Sequence, residues 1–130
     1  MDNPVNISGQ LLEDKVENYC RENNISYQRA KYGAHAIDFI IETDNGKVFA
    51  DCTNQNTTGS AEEKLPHKLW KYHKLYGYSS VYIIKGNKKL SPRVIEHCNE
   101  IARTKQFELI FKSCEDFCNT LTTKTESFFG

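Results

Sequence analysis

Two aspartates interrupt apolar runs of the kind that form β-strands. Asp38 lies inside the run 36–42, and Asp51 lies inside the run 47–54. Paired carboxylates suit a hard divalent cation such as Mg²⁺, with a carbonyl oxygen and waters completing the shell. A cation held in this way polarises a phosphate and generates hydroxide for hydrolysis. Either aspartate alone is more often a solvated residue on a half-exposed strand, so the prediction depends on whether the two meet.

A hairpin signal between the two runs predicts that they do meet. The dipeptide Asn45-Gly46 is typical of a two-residue loop between antiparallel strands. That loop sets a register in which Asp38 faces Thr53 directly and Asp51 is a diagonal neighbour, about 7–8 Å away. Because strand side chains alternate between faces, all three point to one side of the sheet.

The charge distribution adds a possible partner. The net charge of the chain is zero, but its charges are unevenly distributed. Residues 1–63 carry 5 Lys/Arg and 11 Asp/Glu, residues 64–93 carry 8 Lys/Arg and no Asp/Glu, and residues 94–130 carry 4 Lys/Arg and 6 Asp/Glu. A block of one sign makes a local field that a zero total does not. A solvated helix face is the alternative, but ordinary surface helices mix both signs. The acid-free block therefore favours a contact surface for DNA.

The predicted helix over residues 60–76 carries most of this block. Its lysines can neutralise phosphates, and three of them share one face at helical spacing. The expected DNA-binding lysines are Lys64, Lys68, Lys71 and Lys74. The single tryptophan of the same helix, Trp70, is expected in the core. Pro66 predicts a kink or a later start of the helix.

The remaining periodicities predict the element order α-β-β-β-α-β-α-β-α. The expected helices are 8–24, 60–76, 92–104 and 113–121, and the expected strands are 25–30, 36–42, 47–54, 80–85 and 107–111. A hairpin followed by crossover helices implies an α/β fold with a mixed central β-sheet flanked by helices. We expect one domain over residues 1–130, with frayed ends at 1–7 and 123–130.

Composition narrows the class of protein. With 38% hydrophobic and 26% charged residues, the chain of 130 residues is expected to be globular. No membrane-spanning stretch and no secretory leader are visible, so we expect an intracellular, cytoplasmic protein, with a nuclear or viral origin left open. The five cysteines, which include no Cys-x-x-Cys pair, support the expected intracellular location. Cys114 and Cys118 are four residues apart and are interpreted as free thiols in preference to a zinc site. No motif for an organic cofactor is present.

The two aspartates and the residues after them resemble the PD-(D/E)XK nucleases. Asp38, a hairpin and then Asp51-Cys52-Thr53 are similar to the metal-binding core of that superfamily. The run from Gln55 to Pro66, with Gly59-Ser60-Ala61-Glu62-Glu63-Lys64 inside it, is similar to the stretch after the metal motif in restriction-endonuclease-like members and is the more specific part. Gly9-x-x-x-Glu13 resembles the first-helix pattern. The resemblance covers roughly residues 8–112.

The resemblance implies a restriction-endonuclease-like α-β-β-β-α-β core and a set of roles. Asp38 and Asp51 would bind Mg²⁺, or Mn²⁺, together with the Cys52 backbone carbonyl. Glu13 would be an outer ligand, and Gln55 would contact DNA or water. The implied function is a metal-dependent endonuclease acting on double-stranded DNA in restriction or repair, with dimerisation expected because a small domain needs a second copy to cut both strands.

One position departs from the family pattern. The motif lysine, two residues after the second acid, is Thr53 here. That lysine positions the attacking water and neutralises developing phosphate charge, and threonine carries no charge. Three interpretations stay open: Lys64 on the next helix reaches the site, the enzyme works without the lysine, or the domain is an inactive DNA-binding module or a subunit of a larger nuclease.

Overall fold

A computed structural model describes residues 9–30, 37–53, 60–86 and 90–122, and the predicted frayed ends, 1–7 and 123–130, lie outside these ranges. The four helices are α1 (Gly9–Glu22), α2 (Ser60–Tyr76), α3 (Pro92–Lys105) and α4 (Cys114–Thr122). The five strands are β1 (Tyr27–Arg29), β2 (Phe39–Thr43), β3 (Gly46–Thr53), β4 (Ser80–Lys85) and β5 (Glu108–Ser113). The predicted element order is therefore confirmed.

The strands form one mixed sheet in the order β1-β2-β3-β4-β5. The first three pair antiparallel, while β3, β4 and β5 run parallel, because α2 and α3 return the chain to the same end of the sheet. The α/β class and the mixed sheet are confirmed.

Helices cover both faces of the sheet and divide the core in two. One apolar cluster lies under α2 and α3, and the other lies under α1 and α4. Strand β3 contributes to both, since Phe49 packs against the first, whereas Ala50 and Cys52 belong to the second. Asp51, between them, therefore points toward α2. In the described part of the chain, no helix is long and apolar enough to cross a membrane.

The hairpin register differs from the prediction. Thr43 pairs with Gly46 and Phe39 pairs with Ala50, so the turn is Asp44-Asn45. Gly46 has a φ of +113°, which favours glycine, and it follows the turn as the first paired residue of β3 instead of forming the turn. The expected pairing of Asp38 with Thr53 is wrong, and the partner of each β2 residue moves by two positions. A shift of two leaves the side chains within β2 and β3 on their predicted faces.

Helix α2 runs through Pro66, which is buried, so the expected later start is wrong. Trp70 is also not in the core, because 40% of its surface is exposed. Its ring lies beneath two ammonium groups, with the Lys74 Nζ 5.6 Å and the Lys105 Nζ 5.3 Å from the ring centroid. None of the five cysteines forms a disulfide, as expected, and Cys20, Cys52, Cys98 and Cys118 are buried.

A buried ion cluster joins α1 to β1. The Arg29 side chain is 1% exposed and contacts the carboxylates of Glu13, Asp14 and Glu17, all on α1. These acids come from α1 and not from β1. Glu13 and Glu17 are one helical turn apart, so they share the helix face that meets Arg29. This cluster fixes the rotation of α1 and thereby the position of Glu13.

Replacing Arg29 by Met should lower the free energy of unfolding by about 3–5 kcal/mol, because Glu17, only 5% exposed, would keep a buried charge without its main partner. Urea denaturation followed by circular dichroism measures the change. Arg21→Ala is the matched control: Arg21 also contacts Glu17, but its side chain is 61% exposed, so we expect a loss below about 1 kcal/mol. Equal losses in the two variants would contradict a special role for Arg29.

Candidate active site

The two predicted aspartates meet at the open end of the β2–β3 hairpin. Phe39 and Ala50 are the last strand pair, and the next positions along are Asp38 and Asp51. The Asp38 backbone N–H donates to the Asp51 Oδ1 at 3.2 Å, and the Cys52 backbone N–H donates to the Asp38 Oδ2 at 2.9 Å. Each carboxylate is thus held by the backbone of the opposite strand, and the two lie side by side.

Asp51 is almost completely withdrawn from water, with 1% of its surface exposed. Burial, reinforced by the charge of Asp38, raises the pKa of Asp51 well above its ordinary value. Ionising two adjacent carboxyl groups costs free energy through charge repulsion unless a cation lies nearby. The pair therefore favours either a proton or a positively charged partner.

Lys68 supplies one positive charge. Its Nζ lies 3.4 Å from the Asp51 Oδ2, and its side chain remains 38% exposed. Burial alone would lower the pKa of Lys68, but the charges of Asp51 and Asp38 outweigh burial and raise it. The lysine is therefore a stable ammonium at neutral pH that touches both the acid pair and solvent.

Glu13 is the third acid of the neighbourhood. Arg29 holds its carboxylate, with the Arg29 Nε 3.3 Å from the Glu13 Oε1. Burial raises the pKa of Glu13, and the charge of Asp38 adds to the effect. Among the described residues, no three His, Cys, Asp or Glu side chains form a ready metal-binding group. A metal at Asp38 and Asp51 would need backbone and water ligands as well.

The backbone of Cys52 can provide one such ligand. Its N–H points toward β2, where it meets Asp38. The N–H and C=O of one strand residue point to the same side, so the Cys52 carbonyl lies on the β2 side of β3, as its N–H does. The thiol lies on the opposite face, and burial raises its pKa well above the ordinary value. The carbonyl, not the sulfur, is the chemically suitable donor for a hard cation.

The other predicted site residues divide into three groups. Thr53 is buried on the same strand face as Asp51, and its carbonyl accepts from the Gly86 N–H at 2.9 Å. Lys64 and Lys71 are exposed on α2, and Lys74 lies over Trp70. Gln55 lies outside the described residues.

Lys68, predicted only as a DNA contact, is the lysine that reaches the acids. The signal was present in the helical spacing, since Lys68 is one turn after Lys64 on the same face.

No known protein-family model matches the chain. No curated protein matches its sequence either.

Asp51→Asn should raise the stability of the fold. A group whose pKa is higher in the folded state contributes stability at low pH, which is lost as the pH rises above the unfolded value, near 3.8, toward the folded one. At pH 7 we expect a gain of about 1 kcal/mol, roughly 4 °C in Tm, shrinking toward pH 4. Thermal melting at several pH values measures the difference.

The exposed turn residue Asp44 offers the control, because Asp44→Asn removes a carboxylate that is not buried and should leave the Tm nearly unchanged. If Asp51→Asn instead lowered stability by several kcal/mol, the Asp51–Lys68 contact would be a structural ion pair.

Proposed function

We propose that the chain is a metal-dependent endonuclease for double-stranded DNA, with Asp38, Asp51 and Lys68 at its centre. The observation that carries the proposal is the buried Asp51 carboxylate, which lies beside the half-buried Asp38 and in contact with the Lys68 ammonium. Burying a charge that a fold does not need costs stability, and such arrangements cluster at functional sites. The resemblance to PD-(D/E)XK nucleases supplies the reaction class.

The proposed metal is Mg²⁺, with Mn²⁺ as a substitute. Asp38, Asp51 and the Cys52 carbonyl would hold it, and Glu13 would accept hydrogen bonds from the outer waters. When bound, the cation polarises the phosphate and lowers the pKa of a water ligand. The protein itself contributes the orientation of both carboxylates, since each is already held by a backbone N–H. Little reorganisation is then needed when the cation arrives.

Lys68 takes the role that the resemblance first suggested for Lys64. The family lysine is replaced by Thr53, whose short side chain cannot place a charge beside the phosphate. Lys68 comes from α2, on the face of the sheet to which Asp51 points, and its Nζ already lies at the acid pair. When a cation binds the acids, the ammonium is free to turn to a phosphate oxygen or to the attacking water.

The rest of α2 supports the DNA proposal. Lys64 and Lys71 are exposed beside Lys68, so phosphates on either side of the cut bond can be neutralised without reading sequence. Lys74 and Lys105 extend this positive surface around the exposed ring of Trp70. Because the chain has a single tryptophan, its fluorescence reports directly on this surface.

A second candidate function is a DNA-binding module without catalysis, alone or as a subunit of a larger nuclease. The contact between Lys68 and Asp51 favours it, since the lysine provides the acid pair with a countercharge that no metal has to supply. Thr53 fits the same interpretation. The two functions differ in whether the purified protein binds a divalent cation and cuts.

Purified protein should cut plasmid DNA with Mg²⁺ or Mn²⁺, and a chelator should stop the reaction. Asp51→Asn should abolish cutting while the protein stays folded. Lys68→Ala should slow it about 100-fold or more, the typical effect of removing one group that stabilises developing charge. Lys71→Ala is the matched control, because this lysine is exposed on the same helix, and it should change the rate less than about threefold.

Lys64→Ala tests whether Lys64 or Lys68 is the catalytic lysine. We expect its cleavage rate to resemble that of Lys71→Ala. The non-catalytic alternative has its own signature: the natural protein would bind DNA without cutting it in any divalent metal, and Thr53→Lys would begin to cut. A rate that Lys68→Ala leaves unchanged would remove Lys68 from the proposed site.

The DNA contact is tested separately from cutting, in Ca²⁺ or without metal. Replacing Lys64, Lys71 and Lys74 by Gln should weaken binding and reduce the slope of log K against log salt by as much as about 2.7, since each phosphate contact contributes about 0.9. Quenching of Trp70 fluorescence by a DNA duplex measures both the affinity and its salt dependence. Replacing the exposed Lys15 and Lys47, which lie away from α2, should leave the slope within about one unit of its original value. Equal slopes in the α2 variant and the natural protein would show that the α2 lysines only solubilise the surface.

A further inference from the structure

The last strand of the sheet, β5, leaves its outer edge open. β5 pairs with β4 on one side, and no residue in the described ranges pairs with it on the other. Three large apolar residues, Leu109, Ile110 and Phe111, occupy its middle and are only half-buried. An apolar edge strand of this kind pairs readily with another strand, and proteins usually protect such edges with charges or bulges.

The hydrogen-bonding groups of β5 alternate between its two sides. The Glu108 N–H donates to the Ser79 carbonyl at 2.9 Å, so Glu108 faces the inner side, toward β4. In a parallel strand, every second residue does the same. The N–H and C=O groups of Leu109 and Phe111 therefore point outward, away from the sheet.

We propose that β5 is a dimerisation edge, which pairs antiparallel with β5 of a second copy around a twofold axis at Ile110. Outward-pointing residues must pair with each other in such an arrangement, and this axis places Leu109 opposite the partner's Phe111. Each of the two symmetry-related pairs would exchange two backbone hydrogen bonds. Ile110 would meet its own copy at the axis.

Charge complementarity selects this register. With the axis at Ile110, Glu108 lies directly opposite Lys112 of the second copy, and Lys112 lies opposite Glu108. An axis at Leu109 would place Glu108 against Ile110, and an axis at Phe111 would place Lys112 against Ile110. Only the central register matches opposite charges at both ends and apolar side chains between them, which is the pairing that stabilises antiparallel strands.

The faces of the strand agree with the same register. Leu109 and Phe111 belong to the side that packs against the cluster under α2 and α3. Glu108, Ile110 and Lys112 share the opposite side, because side chains alternate along a strand. The proposed dimer thus has an apolar cross-strand pair on one face and an isoleucine contact between two ion pairs on the other.

This dimer would join two five-stranded sheets into one. The two β3 strands would lie five strand spacings apart, roughly 24 Å. Two copies of the acid pair would then stand on one assembly, as cutting both strands of a duplex requires. The dimer itself does not depend on the nuclease proposal, because it rests on the edge of β5 alone.

Sedimentation over a range of protein concentrations tests the proposal. The natural chain should dimerise, and Glu108→Lys should raise the dissociation constant about tenfold or more, because it places like charges opposite each other in both symmetry-related pairs. The double variant Glu108→Lys with Lys112→Glu restores opposite charges and should return the constant to within about threefold of the original. Glu22→Lys, an exposed charge reversal on α1, is the matched control and should have no effect.

Three results would overturn the proposal: a natural chain that stays monomeric, a dimer that Glu108→Lys does not weaken, or a double variant as weak as the single one. Thermal melting of each variant confirms that its fold is intact. The cleavage rate of a monomeric variant is measured separately, so that loss of the dimer and loss of the proposed nuclease activity are distinguished.

Discussion

The burial of Asp51 beside Asp38 is the constraint to which the surrounding structure responds. The Asp51 carboxylate accepts from the Asp38 N–H, the Asp38 carboxylate accepts from the Cys52 N–H, and Asp51 is 1% exposed. A carboxylate in such surroundings is unstable unless a proton, a lysine or a metal ion compensates it. A protein that needed only an apolar core here would be more stable with a small apolar residue in place of Asp51. The buried carboxylate therefore marks this end of the hairpin as a candidate functional site.

Lys68 is the cation that compensates Asp51, and a second cation, Arg29, acts on the opposite face of the sheet on the acids of α1. Lys68 reaches Asp51 from α2, while Arg29 holds Glu13 from β1. The two differ in mobility, since Arg29 is enclosed by three carboxylates and Lys68 keeps part of its side chain in water. Arg29 is therefore suited to fixing α1, whereas Lys68 can exchange its partner when a cation or a phosphate arrives. That difference is why the proposed function assigns a structural role to Arg29 and a catalytic role to Lys68.

Helix α2 combines two tasks that usually fall to different elements. It is the crossover between the parallel strands β3 and β4, and its buried side completes the apolar cluster through Leu65, Leu69 and Tyr72. The remaining surface is free to be basic because the buried residues occupy only one stripe of the helix. Lys68 lies at the border of that stripe, close enough to reach Asp51 and far enough out to reach solvent. The same helix thus places one lysine at Asp51 and leaves others exposed on its surface, as the proposed nuclease requires.

Much of the fold could be read from the sequence, for local reasons. Apolar runs bounded by turn signals, such as the one that contains Phe39 and Ile41, identify strands, and helical spacing identifies α1 to α4. The side of the sheet to which Asp51 points also follows from alternation, and it survives the error in the hairpin register because the error was an even number of residues. The exposure of Trp70 did not follow, since a large apolar side chain can be accommodated at the surface by cations from its own and a neighbouring helix.

The sequence by itself determined the element order and the basic block, because each depends on residues close together in the chain. It also determined the acid pair, because a hairpin signal lies between the two strands that carry Asp38 and Asp51. Only the tertiary structure decided which lysine meets Asp51 and which acids enclose Arg29. Lys64 and Lys68 are equivalent by spacing, and a helix must be placed on the sheet before one of them is selected. Arg29 lies 12 residues from Glu17 along the chain, and only the packing of α1 against β1 brings them together. Such contacts depend on the distance and angle between packed elements, which local periodicity does not specify.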